Sequence, residues 1–401
     1  MSRPLTFLCL ASYYKGAAFM EAVKAMGHFV ILMAAEAHKD DPWPWHAIDE
    51  FFTLPSLQKT PDIVYAIAYL CRGRNIDTLV ALDDFDVETG GLLRAHLRLP
   101  GMGETTTRAF RDKLTMRDLA RVAGVRVPEF VRVVNYDELR AFMDRVPAPW
   151  VLKPRSEASA MGIRRLYEGE PLWRALDELG DRQSYYVLEQ FVPGDVFHVD
   201  SLVDKGQVVF SCASGYARPP INVYQDGGVF ATRTLDRNSE LAQGLFALNA
   251  ETLRALGMER GATHAEFIRG HADGQLYFLE CAARVGGANI AEMVEHASGI
   301  NLWSEWARIE EAFLTGKTYA SPTSRADYAG VLVCLAKQEW PDLSGYTDPE
   351  IVWRLHKAQH AGLIVASPDA ARVEWLIGNY LERFGQDFLA VAPPKNSVAE
   401  M

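Results

Sequence analysis

Cysteine is scarce in this 401-residue chain: Cys9, Cys71, Cys212, Cys281 and Cys334 are all there is, with no CxxC pair among them. An odd, scattered set suits neither a disulfide framework nor a zinc site, so a reducing cytoplasm is the expected compartment. Long apolar runs are missing too. No stretch approaches transmembrane length, and MSRPLTFLCLA has too short an apolar core for a signal peptide, so no membrane partner is expected. Positive charge is in deficit, with 41 Lys and Arg against 52 Asp and Glu and a net charge of −11. Neither a nucleic-acid backbone nor an anionic lipid surface would attract such a chain. Two glycine-rich phosphate motifs are also absent: no GxGxxG follows the first strand, and no GxxxxGK[ST] occurs at all. Internal repeats and low-complexity tracts are lacking.

What the chain has is ample apolar material, 49% of residues, and length enough for two or three domains. It opens as βαβ: a strand at Leu5 to Leu10, a helix stopped by Gly27, and a strand at Phe29 to Ala34. Tyr13 and Lys15 lie just beyond the first strand, where such folds bind ligands, although loops beside helix starts are often simply polar. A helix from Asp62, a strand at Thr78 to Leu82, an acidic bend at Asp83-Asp84 and a helix through His96 complete a first domain over residues 1–104. Thr107 to Ala123 reads as one helix carrying Lys113.

Trp150 to Pro154 is an apolar strand ending in a cation, Lys153. It runs into the small-residue loop Arg155 to Gly162, which includes Ser159, and then into a second strand from Ile163. Amides of such a loop can fold over phosphates, with Lys153 as a point charge on them. From Tyr185 two strands flank Pro193-Gly194. Glu189, Gln190 and Val192 can form a hinge whose backbone pairs with an adenine edge, while His198 and Asp200 share a strand face. Arg218-Pro219-Pro220 and Gly227-Gly228 interrupt the next strands as a substrate-side loop or as a simple turn.

The most informative stretch is HAEFIRGHADGQLYFLECAARVGG, His264 to Gly287. It reads as a hairpin turning at Ala272-Asp273-Gly274 with Gly274 left-handed, so that His271 faces Gln275 and, further along, Glu266 faces Glu280. The alternation puts His264, Glu266 and Ile268 on one face of the first strand, and Leu276, Phe278 and Glu280 on one face of the second. Two facing carboxylates repel unless a cation lies between them, and hard oxygens suit magnesium or manganese. Arg284, Gly286 and Gly287 follow, bringing a permanent cation with a rigid donor fork. A solvated surface hairpin is the plain alternative. Beyond it, Ile290 to Phe313 reads as a helix. Strands at Val331 to Lys337, Ile351 to Lys357 and Leu363 to Ala366, then a helix capped by Ser367-Pro368, close the chain before a tail expected to be disordered over residues 392–401.

Taken in order, Lys113, VLKP at Lys153, the loop to Gly162, EQFVPG at Glu189, FHVD at His198 and ECAARVGG at Glu280 resemble the ATP-grasp superfamily. Within it, the chain is similar to carboxylate-amine ligases of the L-amino-acid (dipeptide) ligase and carnosine-synthase kind. The resemblance implies an α/β ATP-grasp fold. Its parts would be the N-terminal α/β domain, a lid subdomain over residues 105–190, and a large catalytic domain over residues 191–391 with a β-rich extension. It implies ATP and Mg2+ or Mn2+ as cofactors. Lys113 and Lys153 would contact phosphates under a lid loop from Ser159 to Gly162. Glu189, Gln190 and Val192 would line the adenine pocket with His198 near the nucleoside. Glu266 and Glu280 would hold the metal, and Arg284 the transferred phosphate and developing oxyanion. Ala282 departs from the pattern, since an Asn two residues after the second metal Glu usually adds a metal oxygen.

The implied reaction passes the terminal phosphoryl of ATP to a carboxylate, and an amine then displaces phosphate to form an amide. Tyr13, Lys15, Arg218, Gly286 and Gly287 are the residues expected around the two small-molecule substrates, the carboxylate and the amine. Rival readings are a carboxylase or purine-pathway ligase of the same superfamily, and a nucleotide-binding module without turnover. No residue stands out as a general base. A homodimer is the default expectation for any assembly.

Overall fold

The computed structural model describes residues 3–157 and 161–391. Among them, the strands form three sheets. The first is parallel, with β1 Thr6–Ala11, β2 Phe29–Ala35, β3 Glu50–Leu54 and β4 Thr78–Ala81 in the order β3-β2-β1-β4. β1 and β2 are near-continuous apolar runs, as strands covered on both faces must be. The order reverses at β1, so a crevice opens between the carboxyl ends of β1 and β4.

The second sheet is antiparallel: β5 Phe130–Arg132, β6 Trp150–Pro154, β7 Arg164–Leu166 and β8 Tyr186–Gln190 in the order β5-β8-β6-β7. Its own small core includes Leu139, Phe142, Trp150 and Leu188. The third sheet has eight strands: β9 Gly194–Asp204, β10 Gln207–Tyr216, β11 Phe230–Thr234, β12 Gly261–Gly270, β13 Leu276–Ala282, β14 Tyr328–Leu335, β15 Ile351–Arg354 and β16 His360–Ser367. Their order is β13-β12-β9-β10-β11-β14-β16-β15. The closing β-rich segment therefore extends this sheet rather than forming a layer of its own.

Several boundaries differ from the sequence expectation for local reasons. The helix expected over Thr107 to Ala123 is two helices, Glu104–Arg108 and Lys113–Val122. Asp112 separates them because its side chain caps the second, accepting from the amides of Leu114 and Thr115. Lys113 is thereby the first residue of a helix whose Met116 and Ala120 join the core beneath the third sheet. Ile290 to Phe313 likewise splits into Ile290–Ser298 and Leu302–Thr315, where left-handed Gly299 ends one helix and Asn301 caps the next. The last helix, Ala370–Asp387, is capped by Asp369 rather than Ser367-Pro368. A helix absent from the sequence expectations, Glu240–Leu256, buries Ala242, Leu245 and Leu253 in the core that holds Phe267 and Phe278. The tail from Ala392 lies outside the described residues.

The β12–β13 hairpin keeps the expected pairing of Glu266 with Glu280 by a different route. Gly274 is left-handed as expected (φ 67°), but the loop is one residue longer, closing with Gly270 against Gln275. Phe267 then pairs with Phe278, and a bulge at Leu279 restores the register before the glutamates. The bulge also reverses a face: Phe278 shares the core side with Phe267, and Leu279 faces the open side with Glu280.

Candidate active site

A cleft of about 730 Å³ lies between the second and third sheets, with the segment Pro219 to Tyr224 on a further wall. Lys113, Lys153, Glu189, Gln190, Val192, Glu266, Glu280, Arg284 and Gly287 all line it, so most of the residues singled out in the sequence meet in one place. Strand pairing explains how. Residues paired across antiparallel strands share a face, so Glu280, Glu266, His198 and Ser214 form a row across β13, β12, β9 and β10. Ala282, His264, Asp200 and Cys212 form the next row. The opposite face carries Val199, Ala213, Ala265 and Cys281 into the core. One side of the sheet is apolar, and the other carries these polar rows before Leu202 and Ala262 enter a second core.

The cations enter from the other walls. Lys113 Nζ lies 3.0 Å from Glu280 Oε2 and donates to the Glu157 carbonyl at 2.6 Å. Burial would raise the Glu280 carboxyl, but the Lys113 and Lys153 charges outweigh it and hold the group below its usual range. Lys153 Nζ pairs with Glu189 Oε2 at 2.8 Å, and the fully buried Arg117 holds Glu189 from the other side at 3.0 Å. Burial nevertheless pushes the Lys153 ammonium down to about 8, with the Glu189 charge opposing. Arg284 Nη1 donates to the Val285 carbonyl at 2.9 Å, and its Nε stands 3.9 Å from Asp84 Oδ1. Burial opposes its charge, but Asp84 and Asp83 more than compensate.

Glu266 is held by a phenol: Tyr216 Oη donates to Oε1 at 2.6 Å. Burial and the Glu266 charge together push the Tyr216 hydroxyl well above its ordinary pKa, so it stays a donor. Two hard carboxylates facing each other across paired strands fit a magnesium or manganese ion better than a softer metal. The convergent histidines behave differently. His198, Asp200 and His264 bring one ligand atom each to within 4.8 Å of one another. Yet Asp200 lies only 2.6 and 2.9 Å from the two Nδ1 atoms, which are hydrogen-bond lengths. An ion ligated at about 2.0–2.2 Å by each group would spread these atoms to about 3 Å or more.

His198 is therefore corrected from a nucleoside contact to a strut beneath the site: it is 0% exposed, and both ring nitrogens are engaged, with Asp200 at 2.6 Å and Thr232 at 2.8 Å. In the hinge, the Gln190 and Phe191 amides already donate to the carbonyls of Glu129 and Pro149. Glu189, expected as a hinge residue lining the adenine pocket, lines the cleft with its carboxylate paired to Lys153 and Arg117. Gly162 is left-handed (φ 68°), and its neighbours Met161 and Ile163 line the cleft; Ser159 lies outside the described residues. Tyr13, Lys15, Arg218 and Gly286 do not line the cleft. Lys15 pairs with Asp83 at 2.6 Å, and Tyr13 packs on His38 and Phe85. Arg218 is exposed beside the cleft-lining Pro219. Gly286 sits so close to Asp200 that a Cβ there would lie 2.6 Å from its Oδ1.

Sequence reasoning missed Arg117, Tyr216 and the role of His264. Polar residues alternating with apolar ones in FHVD, SGY and THAE were the signal, legible only once those strands are known to be neighbours.

No protein-family model matches the chain. It is 27% identical over 234 residues to an L-arginine-specific L-amino acid ligase of Bacillus subtilis, covering 57% of this chain and 56% of that one. The chain spans about half the length of the curated relatives it matches. Among solved structures, an L-amino acid ligase from Bacillus licheniformis superposes with a TM-score of 0.76 at 17% identity, over 98% of this chain and 99% of that one. N5-carboxyaminoimidazole synthetase from Staphylococcus aureus, solved with ADP, gives 0.73 at 15% identity, over 95% and 98%.

Proposed function

We propose, from the ATP-grasp fold that this chain has and its resemblance to that superfamily's carboxylate-amine ligases, that it joins a carboxylate to an amine at the expense of ATP. The product is an amide, made through an acyl phosphate with release of ADP and phosphate, and at least one substrate is an amino acid. The observation that carries this reading is the convergence of Glu266, Glu280, Lys113, Lys153 and Arg284 on one cleft. A binding module would have little need for an arginine that lines the same cleft as the two carboxylates.

The roles follow from charge. A carboxylate attacking a triphosphate meets like charge, so cations must hold both while the reacting atoms align. Lys113 and Lys153 supply two, and Arg284 holds the transferred phosphoryl oxygens and the developing oxyanion. Glu266 and Glu280 would hold magnesium, which when bound adds positive charge at the phosphate oxygens. Lys113, 3.0 Å from Glu280, is placed to meet phosphate beside an ion that Glu280 would hold. The loop ending at Gly162 keeps water from an acyl phosphate that would otherwise hydrolyse.

The test is phosphate and ADP release from ATP and magnesium, with amino acids supplied singly and in pairs, bicarbonate as a separate arm, and Glu280→Ala as the blank. Release that requires an amino acid and vanishes in the variant supports the ligase. Release with bicarbonate instead would favour carboxylation, the reading suggested by the likeness to the carboxyaminoimidazole synthetase. ATP binding without any turnover would leave the non-catalytic module.

A further inference from the structure

Behind Glu266 runs a chain of hydrogen-bonded side chains drawn from four adjacent strands. The Thr232 hydroxyl donates to the Gly215 carbonyl at 3.1 Å and lies 2.8 Å from His198 Nε2. His198 Nδ1 meets Asp200 Oδ2 at 2.6 Å, and Asp200 Oδ1 meets His264 Nδ1 at 2.9 Å. An ionised carboxylate only accepts, so both Nδ1 atoms carry protons toward it. That fixes the His264 ring and leaves Nε2 on the cleft side, 3.4 Å from Tyr216 Oη and 3.7 Å from Glu266 Oε1. Tyr216 closes the chain onto Glu266 at 2.6 Å. Gly286 lies over the centre, where a Cβ would come within 2.6 Å of Asp200 and 3.1 Å of His264. Asp200, His198 and Thr232 are each 0% exposed, in positions where apolar residues would fold with less desolvation.

We propose that Tyr216 and the His198–Asp200–His264 chain are positioning residues that set the orientation of Glu266 and of the cleft-facing nitrogen of His264 for metal–nucleotide binding. The inference rests on the reading of Glu266 and Glu280 as metal ligands. The buried members act through others: Asp200 aims the His264 ring, His198 and Thr232 aim Asp200, and Tyr216 turns Glu266 Oε1. Carboxylates and rings behind a ligand tune metal affinity in this way, with losses of about 10- to 100-fold on removal.

The experiment is Mn2+ binding to the full chain in the presence of ADP, followed by electron paramagnetic resonance, with thermal unfolding as the check on folding. Tyr216→Phe and Asp200→Asn should weaken Mn2+ by about 10- to 100-fold and raise the Mg2+ requirement for turnover by the same factor. His198→Asn, which keeps an N–H near the Nδ1 position, should retain most of the affinity that His198→Leu loses. Folded Tyr216→Phe and Asp200→Asn proteins with wild-type Mn2+ affinity would overturn the inference and leave the metal reading standing. If Asp200→Asn does not fold, Tyr216→Phe and the His198 pair decide. A wild-type chain that binds no Mn2+ with ADP would remove the metal reading and the inference with it.

Discussion

Two clusters of paired polar side chains lie on different sheets of this molecule, one at strand ends and one across the face of the eight-stranded sheet. At the carboxyl ends of β1 and β4, Ser12 donates to Asp86 through both its amide and its hydroxyl at 2.6 Å. Gln58 donates to Ser12 Oγ and to Asp86, and Lys15 pairs with Asp83. On the third sheet, Glu266, Glu280 and the cations opposite them border the 730 Å³ cleft. The general rule for open α/β sheets points to the first cluster, where strand order reverses. Geometry points to the second. Both pair acids with cations or hydroxyls of the chain itself, so what separates them is that the second borders a cleft with room for a ligand.

The largest effect expected from that contrast is at the second cluster. Glu280→Ala should abolish amino-acid-dependent ADP release, and Arg284→Ala should cut kcat by about 10²- to 10³-fold, the usual loss when one preorganised donor to developing charge is removed. Thermal unfolding should change little for Arg284→Ala, because among the described residues it is tied to the fold by a hydrogen bond to the adjacent Val285 carbonyl and a 3.9 Å approach to Asp84. A large loss of stability with modest loss of turnover would put Arg284 among the self-satisfied groups.

How much of this was visible beforehand depends on how far apart in sequence the partners lie. Glu266 and Glu280 were legible because a short hairpin joins them and an Asp-Gly turn sets their register. Even there, a longer loop and the bulge at Leu279 compensated each other, and a local rule could see neither. Lys113 and Lys153 stood out as motif residues, yet the Asp112 cap that breaks the helix before Lys113 competes with a propensity pattern favouring continuity. The triad of Arg117, Glu189 and Lys153 joins three separate elements, and the His198–Asp200–His264 chain spans 66 residues of sequence. Such pairings follow from sheet order, and no periodicity encodes sheet order.

A middle-sized effect probes the cation that burial leaves only half committed to its charge. The Lys153 ammonium, pushed down to about 8, sheds its proton above that pH in the free protein, whereas phosphate needs it protonated. ATP affinity should therefore fall as pH rises above 8, by up to about tenfold per unit. The stability term has the opposite sign: between about 8 and the ordinary lysine value the unfolded chain binds more protons than the native one, so this group adds stability as pH rises. Lys153→Arg should keep ATP affinity flat over that range. Equal slopes in both proteins would show that Lys153 does not meet the phosphates.

The smallest effect is the sharpest test of the comparison. If the first cluster only supports the fold, Lys15→Ala should change kcat and the KM of every substrate by less than about twofold. Its cost in stability should be about 1–3 kcal/mol, since Asp83 is 0% exposed and would be left without its cation. Tyr13→Phe should be equally quiet in turnover. A tenfold rise in the KM of one amino-acid substrate in Lys15→Ala, with the other substrate and ATP unaffected, would break the comparison. Lys15 would then be holding the carboxylate of that substrate as well as Asp83. In that case the crevice between β1 and β4 would be the outer end of the same site, reached through Asp84, which already faces Arg284 on one side and pairs with Arg111 on the other.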